Sequence, residues 1–371
     1  MRIGCPREIK AHEYRVGLTP ESAAELARAG HEVLIEAGAG LGVGAEDARY
    51  QRVGARIVAD AAALFAGADL IVKVKEPQAA EIARLEPRHT LFTYLHLAPD
   101  PAQADALIRS GATAIGYETV TDAAGRLPLL KPMSEVAGRM SVQVGAHFLD
   151  KAHGGRGVLL GGVPGVRPAD VVILGAGVAG YNAAQIAIGM RARVTVFDKN
   201  AQRLEELDRE FTGRVETVYS TRQAVEEAVH EADLVIGAVL APGAAAPKLI
   251  TRDMLKTMRN GCVLVDISID QGGCFESSRP TTHDDPVFVE EGVIHYCVTN
   301  MPGAVARTST FALNNVTLPF VLALANKGVR QALQDDSHLA AGLNVCDGAI
   351  AHEAVARALS LPLRRPAWLA A

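Results

Sequence analysis

The chain has 371 residues, 49% hydrophobic and 21% charged, with a formal net charge of -5. That length exceeds what one core usually serves and predicts two domains, and the mild acidity leaves no basic face for nucleic acid. No stretch approaches the ~20 apolar residues that cross a bilayer, and residues 1–8 carry no apolar leader core, so a cytoplasmic protein without a membrane partner is expected. Five cysteines (Cys5, Cys262, Cys274, Cys297, Cys346) lie scattered without CxxC spacing, which fits reduced thiols and predicts no metal.

In chain order, strand-like runs at 2–5, 31–35, 69–75, 90–95 and 113–119 alternate with helix-like stretches at 20–29, 46–52, 78–84 and 101–109. Such alternation predicts βαβ units and a mainly parallel sheet. Val136, Met140, Val144 and Phe148 recur at helical spacing and predict a long helix over 134–151, followed by a glycine-rich connector at 154–165. Strand signals restart at 171–174, 193–197, 234–239, 263–267 and 294–298. After Pro302 the chain reads as helix, with Leu313, Val316, Phe320 and Leu324 on one face, Pro319 as a kink, and no further strand. The fold class is therefore α/β with two doubly wound domains, residues 131–304 inserted into a domain built from 1–130 and 305–371, joined by long helices.

Directly after the apolar run Val171-Val172-Ile173-Leu174 comes Gly175-Ala176-Gly177-Val178-Ala179-Gly180, and then an apolar helical face. Strand, turn and helix in that order are the context in which GxGxxG binds a dinucleotide. Gly175 permits the tight turn, Gly177 admits the pyrophosphate, and Gly180 lets helix and strand pack closely. The helix N-terminus adds free N–H groups for the phosphates. The next strand ends on Asp198, near the spacing of a carboxylate that holds the ribose hydroxyls and would repel a 2′-phosphate. NAD is thus favoured over NADP, although Lys199 and Arg203 nearby soften the choice, and 131–304 reads as a Rossmann NAD-binding domain.

Ligands of parallel sheets lie beyond the carboxyl ends of the strands. Arg15, Lys75 and His96 all fall there in the first half. An arginine fork, a lysine point charge and an imidazole suit a small oxo or amino acid. Each has a plainer reading: a solvated loop arginine, the polar end of a strand, a structural histidine. Asp270, after a strand of the second half, could shuttle a proton or merely form a turn, while Asp266 suits a local cap. Ser134 reads as a helix N-cap, with cofactor contact as the alternative.

With these residues assembled, the chain closely resembles the alanine dehydrogenases over its full length. The carrying segments are Arg7-Glu8-Ile9-Lys10, Glu13-Tyr14-Arg15-Val16, Val74-Lys75-Glu76-Pro77, Tyr94-Leu95-His96-Leu97-Ala98, Pro132-Met133-Ser134-Glu135, the glycine turn, residues 266–273 and Asn300-Met301-Pro302-Gly303. The resemblance implies NAD-dependent, reversible oxidative deamination of L-alanine to pyruvate and ammonium. It implies Arg15 and Lys75 as substrate binders and His96 and Asp270 as acid–base residues. For NAD it implies Ser134, Gly175, Gly177, Val178, Gly180, Asp198, Arg203, Ser220, Val239, Leu240, Ile267, Ser268, Ile269, Asp270, Arg279, Val298, Thr299, Asn300 and Met301. It also implies a homohexamer. Two rivals are a nucleotide-binding module like the soluble part of proton-pumping transhydrogenase, against which Lys75 and His96 argue, and a saccharopine-type dehydrogenase with a larger substrate.

Overall fold

Short Val, Ile and Leu runs separated by Ala- and Leu-rich stretches become alternating strands and helices in two sheets. The computed structural model describes residues 1–239 and 246–369. The chain divides into two units, Met1–Met133 with Gly303–Ala371, and Ser134–Pro302.

The first unit contains β1 (Arg2–Cys5), β2 (Glu32–Glu36), β3 (Arg56–Val58), β4 (Leu70–Val72), β5 (Thr90–Thr93) and β6 (Thr113–Gly116). The second contains β7 (Asp170–Leu174), β8 (Arg193–Asp198), β9 (Glu216–Tyr219), β10 (Leu234–Gly237), β11 (Val263–Asp266), β12 (Val287–Glu290) and β13 (Val293–Tyr296). The chain then returns to the first sheet with β14 (Leu343–Cys346) and β15 (Ala349–Ile350). The sheet orders are β15-β14-β6-β5-β4-β1-β2-β3 and β12-β13-β11-β10-β7-β8-β9. Pairing is parallel except at β15–β14, β14–β6 and β12–β13.

Central strands β4, β5, β10 and β11 are buried along their whole length, as parallel strands covered on both faces must be. Helices are started by local chemistry. Thr19 accepts the Ser22 N–H ahead of Pro20, and Asp100 accepts the Gln103 N–H ahead of Pro101. Leu34, Phe65, Ile71, Leu91 and Val345 belong to the core of the first unit, and Val172, Val235, Leu255, Leu264 and Phe275 to that of the second.

Several sequence expectations are corrected. The long helix runs Lys131–Phe148, so Ser134 lies inside its first turn and is no N-cap. Strands do follow Pro302: β14 pairs with β6, a four-residue run interrupted by Asn344 whose strand character comes from that pairing. The edge strands β3, β9 and β12 carry no expectation from sequence either, because short edge runs have little apolar alternation. In the helix Ala306–Lys327, which contains Pro319, the buried stripe passes through Ser309, Thr310, Leu313, Asn314, Thr317, Val321 and Leu324 rather than through Val316 and Phe320. By length and composition Met301–Lys327 is apolar enough to cross a bilayer, contrary to the expectation that no stretch is. Its buried polar stripe is that of a core helix: Asn314 accepts from the Thr19 N–H and the Ser22 hydroxyl, and Thr310 from the Val16 N–H.

Candidate functional site

Three neighbouring parallel strands, β1, β4 and β5, deliver Arg15, Lys75 and His96 on the segments that follow their carboxyl ends. Arg15 is 2% exposed. Glu13 receives its fork at both oxygens, Nε to Oε1 at 2.7 Å and Nη2 to Oε2 at 2.6 Å, while Nη1 lies 3.1 Å from Met133 Sδ. Burial alone would lower the guanidinium pKa, but Glu13 outweighs it and holds the charge. A thioether is a weak acceptor, so a ligand carboxylate is much the stronger partner for Nη1.

Lys75 Nζ lies 3.9 Å from Glu76 Oε2, and the Thr93 hydroxyl donates to the Lys75 carbonyl. Burial would raise the Glu76 carboxyl, yet Lys75, Lys10 and His96 together hold it below its ordinary value. Lys75 and His96 therefore bear on one carboxylate. His96 has φ +50, a left-handed backbone that costs a side-chain-bearing residue of order 1–3 kcal/mol. The carboxylate of Glu118 fixes that turn by accepting the N–H groups of Leu95 at 3.1 Å and His96 at 2.6 Å. The imidazole stacks on Tyr94 with centroids 5.8 Å apart, and Tyr94 in turn donates to the Leu129 carbonyl.

Beneath these residues is a buried charge triad that sequence reasoning missed. Lys73, fully buried, reaches Glu8 at 3.1 Å and Glu81 at 2.6 Å. Burial pulls the ammonium pKa down, and the two carboxylates outweigh it and keep it raised. Glu8 Oε1 also accepts the Val74 N–H at 2.7 Å, which fastens the segment carrying Lys75 to the one leaving β1.

In the second unit the glycine turn fits a dinucleotide by what it leaves out. A Cβ on Gly180 would lie 1.8 Å from the Gly175 carbonyl oxygen, and Gly175 itself has φ +106. A Cβ on Gly177 would meet nothing within 4 Å, so open space stands where a pyrophosphate must approach. Gly177 caps the helix Val178–Gly189 without any side-chain bond, which leaves the helix amides to an anion. Asp198 Oδ2 accepts the Ala176 N–H at 2.7 Å, and Arg203 Nε donates to the Ala176 carbonyl at 2.8 Å. Both residues are thus attached to the turn itself.

Ser220, Val239, residues 267–270 and residues 298–301 follow the carboxyl ends of β9, β10, β11 and β13 in this sheet. Ser220 follows β9 and its N–H donates to the Asp198 carbonyl. Val239 follows β10, and its carbonyl accepts the Ser268 hydroxyl at 2.7 Å. Leu240 lies outside the described residues. Ile267, Ser268, Ile269 and Asp270 form a short 3-10 turn after β11, with Asp270 exposed. Asp266 organises that loop by accepting the N–H groups of Ser268 and Cys274, each at 2.9 Å, and the Ser278 hydroxyl, as its expected capping role requires. Val298 bridges to Thr281, Thr299 donates to the Thr281 carbonyl, and Asn300 has φ +62, followed by buried Met301. Arg279 lies over the Phe288 ring at 4.1 Å. Ser134 sits on the helix Lys131–Phe148, where Gly138 approaches so closely that a Cβ would be 2.1 Å from the Ala179 carbonyl oxygen.

Sequence profiles of two domains match this chain: alanine dehydrogenase/PNT, N-terminal domain, over residues 4–137, and alanine dehydrogenase/PNT, C-terminal domain, over residues 141–353. An alanine dehydrogenase of Halomonas elongata is 62% identical over 361 residues, 97% of each chain. One from Mycobacterium tuberculosis is 56% identical over 367 residues, 99% of each. Among solved structures, an L-alanine dehydrogenase superposes with a TM-score of 0.94 at 51% identity, covering 97% of this chain and 99% of that one. A transhydrogenase from Sinorhizobium meliloti superposes with a TM-score of 0.82 at 26% identity, covering 95% and 100%.

Proposed function

The chain belongs to the alanine dehydrogenase/PNT family, and from that premise we propose an NAD-dependent alanine dehydrogenase that interconverts L-alanine with pyruvate and ammonium. One observation carries the substrate assignment: Arg15, Lys75 and His96 stand on the segments that follow the carboxyl ends of three neighbouring parallel strands, with the arginine fork fixed by Glu13. A module that only bound nucleotide would have no use for that cluster.

In this reading Arg15 and Lys75 hold the substrate carboxylate, the fork by direction and the ammonium by charge. NAD, when bound, supplies the acceptor for the hydride leaving the substrate Cα. His96 gives and takes the proton at the substrate oxygen, and Asp270 assists attack of water and departure of ammonia. Such acid–base help is worth on the order of 10²- to 10⁴-fold. Gly175, Gly177 and Gly180 would admit the pyrophosphate, Asp198 would take the ribose hydroxyls, and Val178, Arg203, Ser220, Val239, Ile267, Ser268, Ile269, Arg279, Val298, Thr299, Asn300, Met301 and Ser134 would hold the rest of the dinucleotide. The five thiols, all buried and unpaired, suit a reducing cytoplasm. A homohexamer is the assembly proposed, checked by light scattering of the purified chain.

The deciding experiment mixes enzyme, NADH and pyruvate with and without ammonium and follows loss of NADH absorbance. Ammonium-dependent oxidation is expected. Loss without ammonium would mean simple carbonyl reduction, and no loss in either case would sink the alanine reading.

A further inference from the structure

We propose that His147, Asp150 and His153 bind one borderline divalent transition-metal ion, of the Zn²⁺, Co²⁺ or Ni²⁺ class, on the surface of the second unit. All three residues are exposed, and one ligand atom from each lies within 4.8 Å of the others. The expectation of no metal rested on cysteine spacing and passed over this His-x-x-Asp-x-x-His run.

The local fold pre-arranges the ligands. His147 lies in the last turn of the helix Lys131–Phe148, where the negative end of the helix dipole favours a cation. Asp150 then starts the 3-10 turn Lys151–His153, which swings His153 back over the helix end and closes on Gly154 at φ +85. Gly155 keeps that reversal tight, since a Cβ there would lie 2.3 Å from the Phe148 carbonyl oxygen. The two imidazoles sit with centroids 4.0 Å apart, and both meet buried Phe148 edge-on, at 5.0 Å and 5.6 Å. His153 Nδ1 lies 3.2 Å from the His147 carbonyl oxygen. Protonated there, the ring donates to that carbonyl and keeps its Nε2 lone pair for a metal, the arrangement by which a partner orients a histidine ligand.

The donor set selects the ion. Two imidazoles and one carboxylate suit borderline first-row divalent ions, whereas Ca²⁺ and Mg²⁺ need oxygen shells that this cluster does not supply. Metal–ligand distances of about 2.0–2.2 Å are reached by drawing in exposed side chains on a turn already formed. The following segment is pinned where the Arg156 N–H donates to the Gly261 carbonyl, just ahead of β11. That is the amino end of the parallel strands, opposite the glycine turn, so the ion would staple a helix end and leave hydride chemistry untouched.

The test uses the untagged, full-length chain stripped with chelator. Co²⁺ is titrated by its visible absorption and displaced with Zn²⁺, alongside calorimetry for stoichiometry. One saturable equivalent per chain is expected, with affinity at least tenfold weaker in His147→Ala and in His153→Ala, and weaker too in the near-isosteric Asp150→Asn. Circular dichroism and ammonium-dependent turnover of the variants should match the parent. Absence of a saturable site, or binding equally tight in both alanine variants, would overturn the proposal.

Discussion

In the first unit the segments beyond β1, β4 and β5 are held by carboxylates: buried Glu13 on Arg15, buried Glu8 and Glu81 on Lys73, and half-buried Glu118 on the backbone of His96. In the second unit the turn beyond β7 is held by missing side chains at Gly175, Gly138 and Gly180, with Asp198 bonded directly to the turn. The ligands proposed for the two units explain the contrast. A small substrate demands cations at fixed points, and each cation near a low-dielectric core needs a counter-charge to stay there. A pyrophosphate demands close backbone approach, which only glycine permits.

The largest effect should come from removing chemistry while leaving both anchoring schemes intact. His96→Ala deletes the imidazole but keeps the backbone N–H that Glu118 accepts. Turnover should fall on the order of 10²- to 10⁴-fold with NADH affinity unchanged, measured by steady-state kinetics and fluorescence titration. Near-normal turnover would remove His96 from the reaction.

Next comes the charge anchor itself. Lys73→Met leaves Glu8 and Glu81 buried without their shared partner, a loss of about 3–5 kcal/mol by urea denaturation. The companion triple change Glu8→Leu, Lys73→Met, Glu81→Leu should recover part of that stability. It should still raise KM for pyruvate, because the Glu8 carboxylate no longer ties the segment carrying Lys75. A triple variant with unchanged KM would show that the triad serves folding alone.

Asp198→Ala probes the second scheme and should do less. It removes one charged bond to Ala176 and a solvent-exposed one to Asn200, against a turn that the glycines still shape. NAD should bind about tenfold more weakly and NADP discrimination should relax, both read by titration. Unchanged discrimination would separate Asp198 from the ribose.

The two schemes were not equally legible in the sequence. Glycine spacing after an apolar strand is a local pattern, and Asp198 follows from it at a known distance. Arg15, Lys75 and His96 were legible as strand-end residues because parallel strands are dense apolar runs. Their supports were not, since Lys73 pairs with residues 65 positions before and 8 after it, and nothing in spacing distinguishes it from Lys75. Glu118 was hidden because it acts through its side chain on another segment's backbone. The strands β14 and β15 escaped for the same reason, being specified by β6 rather than by their own residues.

The last prediction concerns His295, a buried group outside the glycine turn, and its effect is confined to acid pH. It lies fully buried in β13, 2.7 Å from the Ser277 hydroxyl and stacked on Phe288 with centroids 4.7 Å apart. Burial pushes its pKa down to about 4 from the ordinary 6.5, only partly offset by the Val293 carbonyl. Between those values the unfolded chain takes up a proton that the folded chain refuses. Its contribution is therefore complete above pH 6.5 and is lost as pH falls toward 4, by about 1.4 kcal/mol per pH unit. His295→Phe keeps a stacking ring without a titrating nitrogen. Hydrogen exchange of the β11 and β13 amides should then show a shallower acid dependence than in the parent, over that window and not above it. Parallel pH profiles would mean that His295 accepts its proton in the folded state, with Ser277 turning to accept from the ring.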